Sequence, residues 1–155
     1  MSVAAVPASE AGAACPFCEV TRGEVQRHIV FEDDRSIAFL DHRPLFPGHS
    51  LLVPREHFET LRDVPDDLLG ALFSNVKLLA GAMEDGLGAE GSFVAVNNRV
   101  SQSVPHLHVH VVPRRRKDGL RGFFWPRRKY RDEAEIEQTV SALRTAIARA
   151  QRPGS

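Results

Sequence analysis

From Pro65 onward apolar side chains recur at threes and fours: Leu68, Leu69, Leu72, Phe73, Val76, Leu79, Ala80 and Met83. That spacing sets them on one stripe of a long central helix ending by Gly86 or Gly88, with Phe73 and Met83 as core residues. Elsewhere the period is shorter. His28 to Phe31, Ser36 to Asp41, Ser50 to Val53 and Ser92 to Val96 read as short β runs, the first two joined as a hairpin by the acidic turn Glu32-Asp33-Asp34-Arg35. Pro54 is expected to end the third run. Near the N-terminus, Cys15-Pro16-Phe17-Cys18-Glu19-Val20 reads as a short helix with proline in its first turn and Gly23 at its end, so Phe17 and Val20 form an apolar face. Asp132 to about Ala150 is a final helix, with Ile136, Val140, Leu143 and Ile147 on one side, acids early and arginines late.

One run breaks the usual logic of burial. In His106-Leu107-His108-Val109-His110-Val111-Val112 strict alternation sends three histidines to one face of a strand and Leu107, Val109 and Val111 to the other, before Pro113 stops the strand. Neighbouring imidazoles on a strand lie roughly 6.5 to 7 Å apart. Each ring brings polar nitrogens that need partners when buried, so three in a row are a poor way to fill a core and a good way to build a site.

A length of 155 residues suits one domain, taken as residues 15–150, between a disordered leader over 1–14 and a flexible C-terminus over 151–155. Twenty basic residues balance twenty acidic ones, which excludes a globally cationic nucleic-acid binder and leaves local patches to carry any such argument. No stretch reaches the length of a membrane span and no secretory signal is legible, so the expected location is the cytoplasm. In that reducing setting the spacing Cys15-x-x-Cys18 points to a metal clip or a redox pair before a structural disulfide.

Near neutral pH an uncharged imidazole is a competent nucleophile and proton carrier, and attack on phosphorus gives a phospho-imidazole that water can resolve. Spacing alone does not say which ring attacks. The competing use of histidine is metal: Cys15 and Cys18 need two more ligands for a tetrahedral shell, and His57 and one histidine of the strand are available. Asn97-Asn98-Arg99-Val100-Ser101-Gln102-Ser103 is a polar loop able to donate to an anion. Residues 114–131 crowd nine cationic side chains against Asp118 with Phe123, Phe124, Trp125 and Tyr130 between them, a composition fit for phosphate and base stacking or for a solvated dimer surface.

These residues together resemble the histidine triad (HIT) family. His106 to Val112 fits its His-φ-His-φ-His-φ-φ signature, preceded by Gln102-Ser103-Val104; Cys15-Pro16-Phe17-Cys18, Ala38-Phe39-Leu40-Asp41 and Pro47-Gly48-His49-Ser50-Leu51-Leu52-Val53-Pro54 follow the family's order. The resemblance implies an α+β fold: an antiparallel sheet of about five strands, a long central helix and a C-terminal helix, usually doubled across a homodimer. It implies a nucleotide substrate cleaved at its α-phosphate through a nucleotidyl-histidine. His108 is then the nucleophile, His110 contacts phosphate and leaving group, and His49 supports them. Asp41 matches the ribose-binding acid, Phe17, Val20 and Phe39 the walls around the base, Ser103 with Gln102 the phosphate side, and Asn97 or Asn98 the family asparagine. By resemblance to members with a structural zinc, and to galactose-1-phosphate uridylyltransferases, His57 and His106 complete a zinc set with Cys15 and Cys18. Pro105, where many relatives carry an aromatic residue, and a shorter loop over residues 97–102 imply a different leaving-group pocket.

The expected protein is therefore a nucleotidyl hydrolase or transferase acting on a phosphoramidate, a dinucleoside polyphosphate or a similar compound. A nucleotide-binding regulatory dimer is the alternative. Nucleic-acid binding through residues 114–131 is the weakest reading, for want of a recognised module and of net positive charge.

Overall fold

The computed structural model describes residues 14–121, 128–151 and 154. The expected leader, apart from Ala14, lies outside the described residues, as do Phe123, Phe124, Trp125 and Arg127 of the basic segment and residues 152, 153 and 155. The chain forms two compact units, one ending at Asp118 and the other beginning at Gly119.

The first unit opens with helix α1 (Pro16–Thr21), capped by the Cys15 side chain, which accepts from the Cys18 backbone N–H. Strands β1 (Ile29–Glu32), β2 (Ser36–Leu40) and β3 (Ser50–Pro54) follow, then a 3-10 turn (Leu61–Asp63), helix α2 (Asp66–Leu87) and strands β4 (Gly91–Ala95) and β5 (Val109–Arg114). The five strands make one sheet in the order β1-β2-β3-β5-β4, every pairing antiparallel. Asp33 accepts from the backbone N–H groups of Arg35 and Ser36, which fixes the tight turn between β1 and β2.

Alternation along the strands divides the core in two. Ala38, Leu52, Val109 and Val111 face α2 and meet Leu68, Leu72, Val76, Leu79 and Met83. Ile37, Phe39, Leu51 and Val53 face the other way and pack with Cys15, Phe17, Cys18 and Val20 of the α1 segment. Gly88, at φ 63°, caps α2 in the left-handed conformation that glycine adopts without strain.

Four local expectations are corrected. Phe73 is not core but 39% exposed, because the buried stripe of α2 is narrow and Phe73 lies one residue past Leu72, a rotation of about 100°. Pro54 is the last paired residue of β3, opposite Ser36, and does not lie outside it. The histidine strand is paired only from Val109, so His106 and His108 precede it. Pro113 lies inside β5: Arg114 offers its carbonyl to Glu90 on the β4 side, so the position of the missing N–H at Pro113 faces the β3 side, beyond the last β3 pair at Val111.

The second unit contains helix α3 (Glu133–Ala150), whose N-cap Asp132 accepts from the Glu135 N–H. Among the described basic residues several are structural: Arg114 pairs with Asp118, Arg115 donates to the carbonyls of Leu87 and Gly88 at the end of α2, and Arg131 pairs with Glu135. No helix among the described residues is long and apolar enough to cross a membrane.

Candidate functional site

Cross-strand register assembles the site. Phe39 of β2 pairs with Leu51 of β3, which pairs with His110 of β5, so these three share one face. The same face receives α1: the Phe17 ring stands edge-on to Phe39 at 5.5 Å and to His108 at 5.1 Å. His108 and His110 lie with ring centroids 5.0 Å apart, closer than the rise of a flat strand gives, with the rings inclined at 65°.

The partner of each ring nitrogen sets its proton. His108 Nδ1 lies 2.8 Å from the carbonyl of His106, an acceptor only, so Nδ1 carries the hydrogen and Nε2 of the neutral ring keeps its lone pair. His49 Nδ1 accepts from the Leu45 backbone N–H at 3.1 Å, which puts its own hydrogen on Nε2. That hydrogen points at His110 Nδ1, 3.0 Å away, and leaves His110 as an Nε2–H donor. A lone pair and an N–H donor therefore stand side by side on neighbouring rings.

Burial disfavours the charged form of His110 and His49. His110 is pushed down to about 4, first by desolvation and then by His108 and His49, with Asp41 opposing. His49 is lowered by desolvation against the opposing pull of Asp41, whose carboxylate is 3.7 Å away. His108 is 3% exposed. Among the described residues its Nε2 has no hydrogen-bond partner, the ring's bond being made by Nδ1, and Arg27 Nε is the single fully buried side-chain nitrogen or oxygen without one.

A second cluster lies at the N-terminus of α1. Cys15 Sγ and Cys18 Sγ are 3.4 and 3.5 Å from His106 Nδ1, and Cys18 Sγ is 3.2 Å from His57 Nδ1. His106 Nε2 donates to the Pro54 carbonyl at 2.9 Å, so the Nδ1 lone pair faces the sulfurs. All four ligand atoms lie within 4.8 Å of one another. Zinc bonds of about 2.3 Å to sulfur and 2.0 Å to nitrogen give sulfur–nitrogen edges of about 3.5 Å, which the three sulfur–nitrogen separations of 3.2, 3.4 and 3.5 Å match. Desolvation, and then Cys15, push the Cys18 thiol up to about 11, against the opposing charge of Arg22. Asp41, His49 and His110 also converge, but there the facing nitrogens share a hydrogen bond and form a relay, not an open donor set.

The residues expected to bind nucleotide divide into two groups. Phe17, Val20 and Phe39 are packed together beside His108, and Asp41 lies just past β2 next to His49. Its Oδ1 accepts from the Arg43 N–H. In the loop before the triad, Gln102 is a brace: its oxygen accepts from the Arg99 N–H and its nitrogen donates to the Glu59 carbonyl. Asn98 spends its side-chain oxygen on the Leu61 N–H, Asn97 is partly buried, and Ser103 is exposed. The sequence reading missed the carbonyls of His106 and Pro54 and the amide of Leu45, which fix the tautomers. No side-chain pattern signals a backbone group.

Comparison with known proteins follows the same outline. The HIT domain family matches residues 22–117. An adenylylsulfatase of Arabidopsis thaliana is 35% identical over 137 residues, 84% of this chain and 68% of that protein. An adenosine 5'-monophosphoramidase of Saccharomyces cerevisiae is 37% identical over 111 residues, 70% of this chain and 68% of that one. Among solved structures, a Zn-bound histidine triad family protein from Mycobacterium smegmatis superposes with a TM-score of 0.68 at 32% identity, covering 84% of this chain and 99% of that chain.

Proposed function

Since this chain belongs to the HIT domain family, we propose that it is a nucleotidyl hydrolase or transferase that breaks the bond between the α-phosphorus of a nucleotide and its leaving group. The observation that carries this reading is the pairing of the lone pair on His108 Nε2 with the N–H of His110 on the neighbouring ring. His108 Nε2 attacks phosphorus and the bond to the leaving group breaks. The positive charge then developing on the ring is spread toward Nδ1–H, which the His106 carbonyl stabilises. His110 Nε2–H donates to the phosphoryl oxygens and the departing atom, with its tautomer held by His49. Water attacks the nucleotidyl-histidine in the second step, releases the nucleoside monophosphate and restores the neutral ring.

Phe17, Val20 and Phe39 are the proposed base walls and Asp41 the ribose acceptor, with Ser103 and the asparagines on the phosphate side. Two relatives named for adenylyl sulfate and adenosine phosphoramidate support an adenosine nucleotide as the substrate class. Cys15, Cys18, His57 and His106 are the proposed ligands of a structural zinc, which would tie α1 to the triad loop and take no part in bond making. Free thiols held for a metal suit a reducing compartment, which supports the cytoplasm. A second copy of the chain is the expected partner, and β4, paired among the described residues only with β5, is an edge open to it.

The test is a rapid quench with adenosine phosphoramidate, adenylyl sulfate or a diadenosine polyphosphate carrying label in the adenylyl group. Label is expected on His108. Undiminished turnover by His108→Ala, with no labelled protein, would reject the mechanism.

A further inference from the structure

We propose that α3 pairs antiparallel with α3 of a second copy of this chain. Ile136, Val140, Leu143 and Ile147 are separated by four, three and four residues, the alternation of a two-stranded coiled-coil seam. Val140, Leu143 and Ile147 are 39, 59 and 54% exposed. A helix of this length is marginal in water unless its apolar face is covered. A groove of about 360 Å³ runs along α3 between the rows Ile136-Val140-Arg144 and Glu137-Ser141-Thr145. Rows spaced by four residues form the ridges and grooves into which a second helix seats its own.

Orientation is decided by charge. Antiparallel pairing about a twofold between residues 141 and 142 sets Ile136 against the second copy's Ile147 and Val140 against its Leu143, so all four layers are apolar. Glu137 then flanks the second copy's Arg144, and Arg144 its Glu137. Parallel pairing would bring Glu137 beside the second copy's Asp132, like against like. Two helices of about 27 Å bury less than a standard interface. This contact therefore works within a dimer held elsewhere as well, and for that it rests on the second copy proposed above.

The experiment mixes full-length Val140→Cys and Leu143→Cys single variants under mild thiol oxidation, beside each variant alone and the unsubstituted chain, and follows oligomeric state by sedimentation. The mixed disulfide is expected at least about tenfold faster than either self-disulfide. Glu137→Arg should slow it by about two- to thirtyfold, as loss of two exposed ion pairs implies, and adding Arg144→Glu should restore it. Because Glu137 and Arg144 lie outside the apolar stripe, this second pair reports orientation even where a cysteine disturbs the helix. Equal rates in every mixture, or no rescue by the double reversal, would overturn the helix pairing while a dimer in sedimentation left the second copy intact. A monomer without cross-links would overturn both.

Discussion

The backbone carbonyl of His106 accepts the Nδ1–H of His108 at 2.8 Å, while Nδ1 of the His106 ring itself faces the sulfurs of Cys15 and Cys18. One residue thus belongs to two sites. Its side chain points at the candidate metal cluster, and its main chain fixes the tautomer of the candidate nucleophile.

Replacing His108 by alanine is expected to lower kcat by at least about a thousandfold while nucleotide affinity stays within a fewfold, because the ring makes a bond to phosphorus and contributes little to holding the base. Single-turnover kinetics with equilibrium binding on the same preparation separates the two effects. Loss of binding in step with kcat would assign His108 to the pocket and not to the chemistry.

His49 acts through His110, so its role is positional. His49→Leu removes the Nε2–H that holds His110 Nδ1 as an acceptor, and should cost about 10–100-fold in kcat. His49→Gln can accept from Leu45 and donate to His110 at once, and should recover most of that loss. Equal damage by both substitutions would mean that His49 only fills space.

Elemental analysis should find about one zinc per chain, and Cys18→Ser should lose it. If metal stands at a hundred to a thousand times its Kd, its removal costs about 3–4 kcal/mol, a fall in Tm of about 6–15 °C. Calorimetry with and without chelator reads this without any assay of turnover. A chain with full thermal stability and no zinc would end the metal reading.

Acid should weaken the fold through His110. Its folded-state value of about 4 lies below the ordinary 6.5, so the unfolded chain binds the proton first. The contribution is fully present above about pH 6.5 and is lost as pH falls through about 4. Urea midpoints measured between pH 7 and 4 should fall more steeply for the unsubstituted chain than for His110→Gln. Parallel curves would show that His110 is not desolvated as the structure has it.

Gly48, at φ 102°, turns the chain just before His49, and a Cβ there would collide with Leu87 Cδ1. The Leu87 side chain is half exposed and can yield, so backbone strain dominates. Gly48→Ala should cost about 1–2 kcal/mol, read from denaturant midpoints, and should raise the sensitivity of kcat to His49 placement. A neutral substitution would show that the loop tolerates another conformation.

Periodicity was enough to find α2, α3 and strands β1 to β4 to within a residue or two, because burial on one face is a local property of spacing. It failed at Phe73, at Pro113 and at the start of β5. There the outcome depends on how wide a stripe the sheet covers, on which side of a strand is paired, and on where a neighbouring strand ends. Those are facts about neighbours, not about the run itself.

The alternation of His106, His108 and His110 with Leu107 and valines determined by itself that these rings would share a face, since successive side chains on extended backbone point oppositely. What only the tertiary structure decided is the work each ring is fitted for. Folding brings His57 and His106 to cysteines 39 to 91 residues away and sets a carbonyl, an amide and a neighbouring imidazole against particular ring nitrogens. A histidine's hydrogen goes where its partner requires, and those partners are backbone groups that every residue carries and no sequence pattern marks.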